Sequence, residues 1–458
     1  MALKIAIVGA GPAGCILARL LLYQIQPEQL RKDKTVEKSA RSIDITIFES
    51  EHSVDFRSQG GSLDLHDHTG ILALRKAGLN EEFLAHARYD GEAMSWTDKS
   101  LRAYLKLSGN TGRPEIDRSD LRKILTESLP EDIVQWNKKL VGVRKKPASG
   151  NENIHGADQW ELEFMDGTTA SGYDLIVGAD GAWSKVRSSV LSDEKPFHSG
   201  VGGYCLVIPN VKETAPDMYQ LVNRGTYFTF DGGDKPHSGR ALIGQQLSNG
   251  NMTVSLWMAC PENWQETVEY DINDGAAIKQ FMIEKKYKDW HPRLLEAVRH
   301  ADENNVVARS LYMLPVGFTW PHQQGITLLG DAAHLMTPFA GEGVNLAFED
   351  AIHLCDAIKE TLAEKNGSSV EKTLDNNVIA FEKNMNQRAT ITQSHTFEQM
   401  VDWYFTPGSP GNNIERVILR NLKFKSQGSS LLLYNLTYPF TAAMIYTGYF
   451  IYKRFLLW

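Results

Sequence analysis

Three apolar runs rich in β-branched residues punctuate the chain, and each breaks off at a glycine-bearing turn. Lys4-Ile5-Ala6-Ile7-Val8 runs into Gly9-Ala10-Gly11-Pro12-Ala13-Gly14, Tyr173-Asp174-Leu175-Ile176-Val177 into Gly178-Ala179-Asp180-Gly181, and Ile326-Thr327-Leu328-Leu329 into Gly330-Asp331. Runs of this length predict strands covered on both faces, as in a parallel sheet. An apolar helix through Ile16, Leu17, Leu20 and Leu21 is predicted after the first, and a helix from about Glu342 to Ile358 after the third. A fourth run, Ile43-Asp44-Ile45-Thr46-Ile47-Phe48, reads as a strand ending at Glu49. The polar, doubly charged Gln24 to Ser42 before it reads as a helix end and a surface loop.

Elsewhere the period changes. Trp160-Glu161-Leu162-Glu163-Phe164 alternates and meets Asp166-Gly167, the pattern of a hairpin arm with one wet face. From about Phe197 to Met313 short β runs alternate with turn signals such as Asp231-Gly232-Gly233 and Asn249-Gly250. Beyond Ile358, Phe381, Met385, Phe397, Met400, Val401 and Tyr404 recur at threes and fours, which predicts helices. This order implies an α/β fold with a discontinuous nucleotide-binding domain (residues 1–85, 115–195 and 315–360). A mostly β substrate-binding cap (86–114 and 196–314) interrupts it, and a C-terminal helical region (361–458) follows.

With 458 residues, 42% apolar and a formal net charge of −8, the chain is long enough for two or three domains, and a nucleic-acid-coating surface is excluded. Cys15, Cys205, Cys260 and Cys355 form no CxxC pair, so the expectation is reduced thiols, no zinc site and a cytoplasmic location. The small and apolar residues at the N-terminus imitate a signal peptide, but glycines at fixed offsets argue against one. The composition hides one anomaly, the charge-free run 431–452 followed by Lys453-Arg454. It is long enough to cross a bilayer as one helix, whereas Pro439, Asn435 and five tyrosines suit a helical hairpin packed on the catalytic domain. Both readings stand, membrane association through the tail going with the first.

Glycines also serve plain turns, so context decides what Gly9, Gly11 and Gly14 mean. Between a buried strand and an apolar helix opened by Pro12 and Ala13, the first allows a tight turn, the second close approach of a pyrophosphate and the third close helix–strand packing. The helix start then offers N–H groups and a positive dipole end to phosphates. Glu49 is the expected acidic partner of a ribose, although it lies farther from Gly14 than the usual spacing of about 20 residues; its plain alternative is a solvated strand-end carboxylate. Asp180-Gly181 is either a simple turn or a second cofactor contact. The segment Gly330-Asp331-Ala332-Ala333-His334-Leu335-Met336-Thr337-Pro338-Phe339-Ala340-Gly341-Glu342-Gly343-Val344-Asn345 is more specific. A strand-end aspartate accepts hydrogen bonds from a sugar alcohol, and a glycine-bearing helix start aims N–H groups at an anion.

This three-part order resembles the group A flavoprotein monooxygenases, whose FAD is gripped by a dinucleotide fingerprint, a DG segment and a GD segment; the resemblance covers about the first 360 residues. Arg57-Ser58-Gln59-Gly60-Gly61-Ser62-Leu63-Asp64-Leu65-His66 and Asp117-Arg118-Ser119-Asp120-Leu121-Arg122 are similar to stretches of the tetracycline-degrading members and their relatives acting on polyketide-like aromatics. The resemblance implies that Arg57 lies where the nicotinamide cofactor and flavin meet, and that Asp64 and Arg118 contact FAD. It further implies that Glu49 holds the ribose and Asp331 the ribityl chain, with Gly330, Pro338, Gly341, Gly343, Val344 and Asn345 beside the flavin. For Arg57 and Arg118 taken alone, an exposed cation or surface salt bridge is the simpler reading.

The implied activity is reduction of FAD by NADPH or NADH, capture of O2 as a flavin C4a-hydroperoxide, and transfer of one oxygen atom to an electron-rich aromatic, polyketide-like or other secondary metabolite. The cofactor carries the hard chemistry, so no catalytic base and no metal site is assigned. His66 and His334 are read as local hydrogen-bonding or packing residues. Tyr227, Phe228, Phe230 and Trp257 either line the cap's pocket or belong to its core. The alternative function is a reductase or dehydrogenase on the same FAD scaffold without oxygen insertion, and the expected state is a monomer.

Overall fold

The computed structural model describes residues 2–30, 42–53, 60–109, 112–146, 160–222, 225–364, 369–426 and 431–455. Two compact units emerge. The first comprises Met1–Ala87, Ile116–Phe197 and Tyr312–Ser394, the second Arg88–Glu115, His198–Leu311 and His395–Trp458. The stretch expected to form a separate helical region is therefore divided between the two units after Ser394.

The first unit is organised by a five-stranded sheet in the order Ile326–Leu328, Leu175–Gly178, Leu3–Val8, Ile43–Phe48, Val134–Gln135, every pair parallel. Leu3–Val8 is central, with Ile5 opposite both Leu175 and Ile45. Burial on both faces is what its unbroken apolar run requires, and Ile5, Ile7, Leu17, Leu20 and Phe348 share its core. Parallel strands send all their C-terminal ends to one edge, so the turns at Gly9, Ala179 and Gly330 become neighbours although they are far apart in sequence. The helix Pro12–Ile25 packs against the long helix Gly343–Ala363. Trp160–Phe164 forms the expected hairpin with Thr169–Ser171 and also pairs with Leu140–Lys145.

The second unit is built on a seven-stranded sheet, in the order Val307–Met313, Phe197–Ile208, Met252–Ala259, Arg240–Gln246, Thr226–Asp231, Met94–Asp98, Ala103–Leu107. Thr226–Asp231 runs parallel to Met94–Asp98, so the early and late cap segments form one sheet. Tyr227, Phe230 and Trp257 are buried core residues, and Phe230 stacks on Trp403 with ring centroids 4.1 Å apart. Of the two readings of these aromatics, core packing is the one observed.

The tail corrects both expectations for the run 431–452. It is neither a hairpin nor a span but one helix, Leu431–Phe455, which continues through Pro439. Proline removes a single N–H and the helix carries on around it. Among the described residues no helix is long and apolar enough to cross a membrane. Asn435, the threonines and the tyrosines dilute the apolar content that absence of charge had suggested.

Candidate functional site

The fingerprint loop is shaped by contacts that leave no room for side chains where they would obstruct. Gly9 sits at φ +109°, and a Cβ there would lie 2.4 Å from the Ala179 carbonyl oxygen. At Gly14 a Cβ would lie 2.1 Å from the Gly9 carbonyl oxygen. At Gly11 it would meet nothing within 4 Å. Two of the three glycines therefore serve packing, and the third leaves open space above the loop at the start of the Pro12–Ile25 helix. That helix has no side-chain cap, which leaves its first N–H groups to an outside acceptor.

Glu49, at the end of its strand, is buried and turned toward this loop: its Oε2 accepts from Ala10 N–H (2.7 Å), and its Oε1 from Ser50 Oγ–H and Glu51 N–H (2.9 Å each). The insertion before it leaves its register intact, because Val8 still faces Phe48. The Asp180 carboxylate is drawn into its own turn, accepting from Ser184 Oγ–H (2.6 Å) and from the N–H groups of Lys185 (2.7 Å) and Val186 (3.2 Å). Gly181, at φ +75°, again has open space where a Cβ would be.

In the third turn Gly330, at φ +62°, sits close to both Ala13 and Ala347, joining the fingerprint helix to the long helix. Asp331 follows with an accessible side chain, and the dense chain around it pushes its carboxyl above the usual carboxylate range despite the opposing charges of His334 and Arg118. Arg118 is thus within electrostatic reach of Asp331; its backbone N–H is bound to Gly61 O (3.1 Å). Pro338 opens a short 3-10 turn, Gly341 follows at φ +69°, and the long helix begins at Gly343, where a Cβ would meet nothing within 4 Å. Val344 packs on the core.

Asn345 is fully buried and its amide is saturated. Its Nδ2 donates to Asp64 O (2.9 Å) and Gly341 O (3.3 Å), while its Oδ1 accepts from His66 N–H (2.8 Å) and Thr69 Oγ–H (3.3 Å). Its side chain thus ties the Asp64–His66 stretch to the helix start, and only its backbone is left to face a ligand. Arg57 lies outside the described residues.

His66 joins that stretch to the helix a second time, Nε2–H donating to Asp64 Oδ2 (3.0 Å) while Nδ1 lies 3.4 Å from Glu342 Oε2. Burial alone would lower its pKa, but the hydrogen bonds and charges of Asp64 and Glu342 override burial and raise it to about 9. The folded value lies above the ordinary 6.5, so the stabilisation is complete below about pH 6.5 and is lost as pH rises through about 9. The melting-temperature advantage of the native chain over His66→Gln should shrink across that window. An advantage that stays constant from pH 6.5 to 10 would rule out the charged triad.

Two residues that sequence reasoning missed hold the turns together. Arg187, 1% exposed, donates from Nη1 to Ala332 O (2.6 Å) and from Nη2 to Ala182 O (2.7 Å), so one rigid guanidinium ties the second turn to the third. Asp350, fully buried, accepts from Gly330 N–H (3.2 Å), His334 Nε2–H (2.6 Å) and Arg388 Nη2–H (3.1 Å). Burial favours its neutral form, yet these partners hold its pKa below the ordinary value. His334 is accordingly a local partner of Asp350, as expected. Breaking a buried pair costs about 3–5 kcal/mol, so Asp350→Ala should lower the melting temperature and release flavin. Thermal unfolding and the ratio of flavin to protein absorbance check this.

The parts fit FAD. An uncapped helix start with a bare glycine suits a pyrophosphate, a buried carboxylate beside it a ribose, and an accessible strand-end carboxylate a ribityl chain; the second helix start opens on empty space for a ring edge. This is a flavin-nucleotide fold with a β-sheet second unit. The chain belongs to the family described as FAD binding domain, whose model matches residues 2–389. It is 30% identical over 396 residues to monooxygenase asqM of Emericella nidulans, covering 78% of this chain and 84% of that one. It is 27% identical over 368 residues to 3-amino-4-hydroxybenzoate 2-monooxygenase of Streptomyces cremeus, covering 77% of each. The crystal structure of the tetracycline destructase Tet(51) superposes with a TM-score of 0.61 at 18% identity, covering 94% of this chain and 98% of that one, a likeness of fold. The protein is an FAD-dependent oxidoreductase of the monooxygenase class, and the expected fold class, cofactor and enzyme class hold.

Proposed function

We propose that the protein uses NADPH or NADH and O2 to insert one oxygen atom into an electron-rich aromatic or polyketide-like small molecule. The observation that carries the reading is the doubly braced helix start at Gly343: Asn345 and His66 fix Asp64, Gly341 and Glu342 around N–H groups that have no side-chain cap. Relatives named for hydroxylated aromatic substrates support the substrate class.

When bound, FAD supplies the electron transfer and oxygen activation. Gly11 would admit the pyrophosphate to the Pro12–Ile25 helix start, Glu49 would hold the ribose and Asp331 the ribityl chain. Arg118 and Asp64 would complete the contacts, and the Gly343 helix start would offer its positive dipole end to negative charge on the flavin. Gly9, Pro12, Ala13, Gly14, Asp180, Gly181, Gly330, Pro338, Gly341, Val344 and Asn345 set the backbone around these groups. Arg57, outside the described residues, is assigned to the nicotinamide cofactor by the resemblance of its stretch of sequence alone. The chain's own work is binding, orientation and electrostatic stabilisation, with no general base assigned.

The test is a panel of phenolic and polyketide-like compounds screened for joint stimulation of NADPH and O2 consumption. Coupled consumption with a subset of compounds is expected. NADPH-driven reduction of an acceptor without O2 uptake would instead establish the reductase alternative.

A further inference from the structure

The tail helix is amphipathic in the reverse sense. Four of its polar side chains are turned to the protein: Tyr434 O–H donates to Leu419 O (3.0 Å), Tyr449 O–H to Tyr104 O (2.7 Å) and Tyr452 O–H to Ala103 O (2.6 Å), and Lys453 pairs with Glu415 (2.7 Å). All these partners belong to the second unit. The opposite face presents Leu432, Leu436, Phe440, Met444, Ile451 and Phe455 at helical spacing, with Leu436, Phe440 and Met444 exposed by 69, 77 and 76%. An exposed apolar stripe of this kind marks an interaction surface. At 25 residues the helix is about 37 Å long.

We propose that this face docks on a lipid bilayer, the helix lying in the plane of the headgroup boundary rather than crossing it. Charge complementarity favours lipid: no acidic residue occurs in Leu431–Phe455, and the last turns of this helix and of the preceding one are basic, with Lys453 and Arg454 in the one and Lys423 and Lys425 in the other, a sign of charge suited to anionic headgroups. The polar groups beside the stripe agree. Thr437 Oγ–H is turned back to Leu433 O (2.9 Å) and Thr441 Oγ–H to Thr437 O (3.1 Å), as an apolar medium requires, whereas a protein interface typically carries about one hydrogen bond per 100–200 Å². Tyr438 and Tyr446 remain partly exposed, as amphipathic rings at a headgroup boundary are. A groove of about 490 Å³ between the tail helix and the edge strand Ala103–Leu107 includes Met444 and Gly448 in its lining, so apolar space continues from the stripe into the second unit. The tyrosine contacts that pin the inner face to this strand explain why the helix lies flat.

Flotation of the full-length holoprotein with phosphatidylcholine–phosphatidylserine vesicles tests this independently of any turnover. The native chain should float with the vesicles. The triple variant Leu436→Ser, Phe440→Ser, Met444→Ser should lose at least about tenfold in bound fraction, since it removes the three most central apolar side chains of the docking face. Unchanged flavin absorbance and helicity would show that the variant remains folded. The proposal is overturned if the native chain does not float or the variant floats equally well. It is also overturned if light scattering finds a vesicle-independent dimer that the triple variant dissociates, which would assign the face to a second copy.

Discussion

Asp331→Ala should yield a folded protein that no longer retains flavin. The carboxylate is accessible, the helix it opens has Gly330 at its cap position with no side-chain capping bond, and its surroundings disfavour the charge. Its removal therefore costs the empty protein nothing in hydrogen bonding that the cap would have needed. On the proposed reading, what is lost is an acceptor for ribityl hydroxyls, and hydrogen bonds to charged groups contribute about 1.5–3 kcal/mol. The expected result is FAD affinity lower by about ten- to a hundredfold, with most of the yellow colour lost on gel filtration and activity partly recovered by excess FAD. Apoprotein melting should stay within a few degrees of native. Full occupancy in the variant would mean that the third turn does not hold the cofactor.

Gly14→Ala has the opposite signature. The added methyl would sit 2.1 Å from the Gly9 carbonyl oxygen and 3.1 Å from Ile7 Cγ2. Gly9 has little room to yield, because its own N–H is bonded to Phe48 O (2.8 Å) and the Ala179 carbonyl closes the space on its side-chain face, 2.4 Å from where a Cβ would be. Overpacking of this kind costs about 1–3 kcal/mol, which should lower the melting temperature of the apoprotein by about 2–6 °C. Gly11→Ala supplies the contrast. Nothing lies within 4 Å of its added methyl, so stability should be native while flavin affinity falls. Melting curves and FAD titrations of the two apoproteins separate these effects, and equal behaviour of the two variants would contradict the division of labour within the fingerprint.

The parallel sheet was legible because each of its main strands is a local apolar run, and strands covered on both faces leave no alternation to confuse. The coming together of Gly9, Ala179 and Gly330 was legible too, since parallel strands share one C-terminal edge. The clamps were not. Arg187 acts on a carbonyl 145 residues away and Asp350 on an N–H 20 residues back, and nothing in their neighbourhoods distinguishes them from surface charges. Asn345 was read as a cofactor contact from its motif, whereas the saturation of its amide depends on Asp64, His66 and Thr69, remote in sequence. In the tail, absence of charge was visible, but which face turns inward is decided by Ala103 and Tyr104, about 345 residues upstream.

The most direct test of the central claim is turnover under 18O2 with a compound that stimulates NADPH oxidation, followed by mass spectrometry of the product. A monooxygenase built on this site gives a product heavier by one labelled oxygen atom, with the label absent when the reaction runs under 16O2 in labelled water. A product formed without label, or with label taken from water, would contradict oxygen insertion and leave an FAD oxidoreductase of another kind.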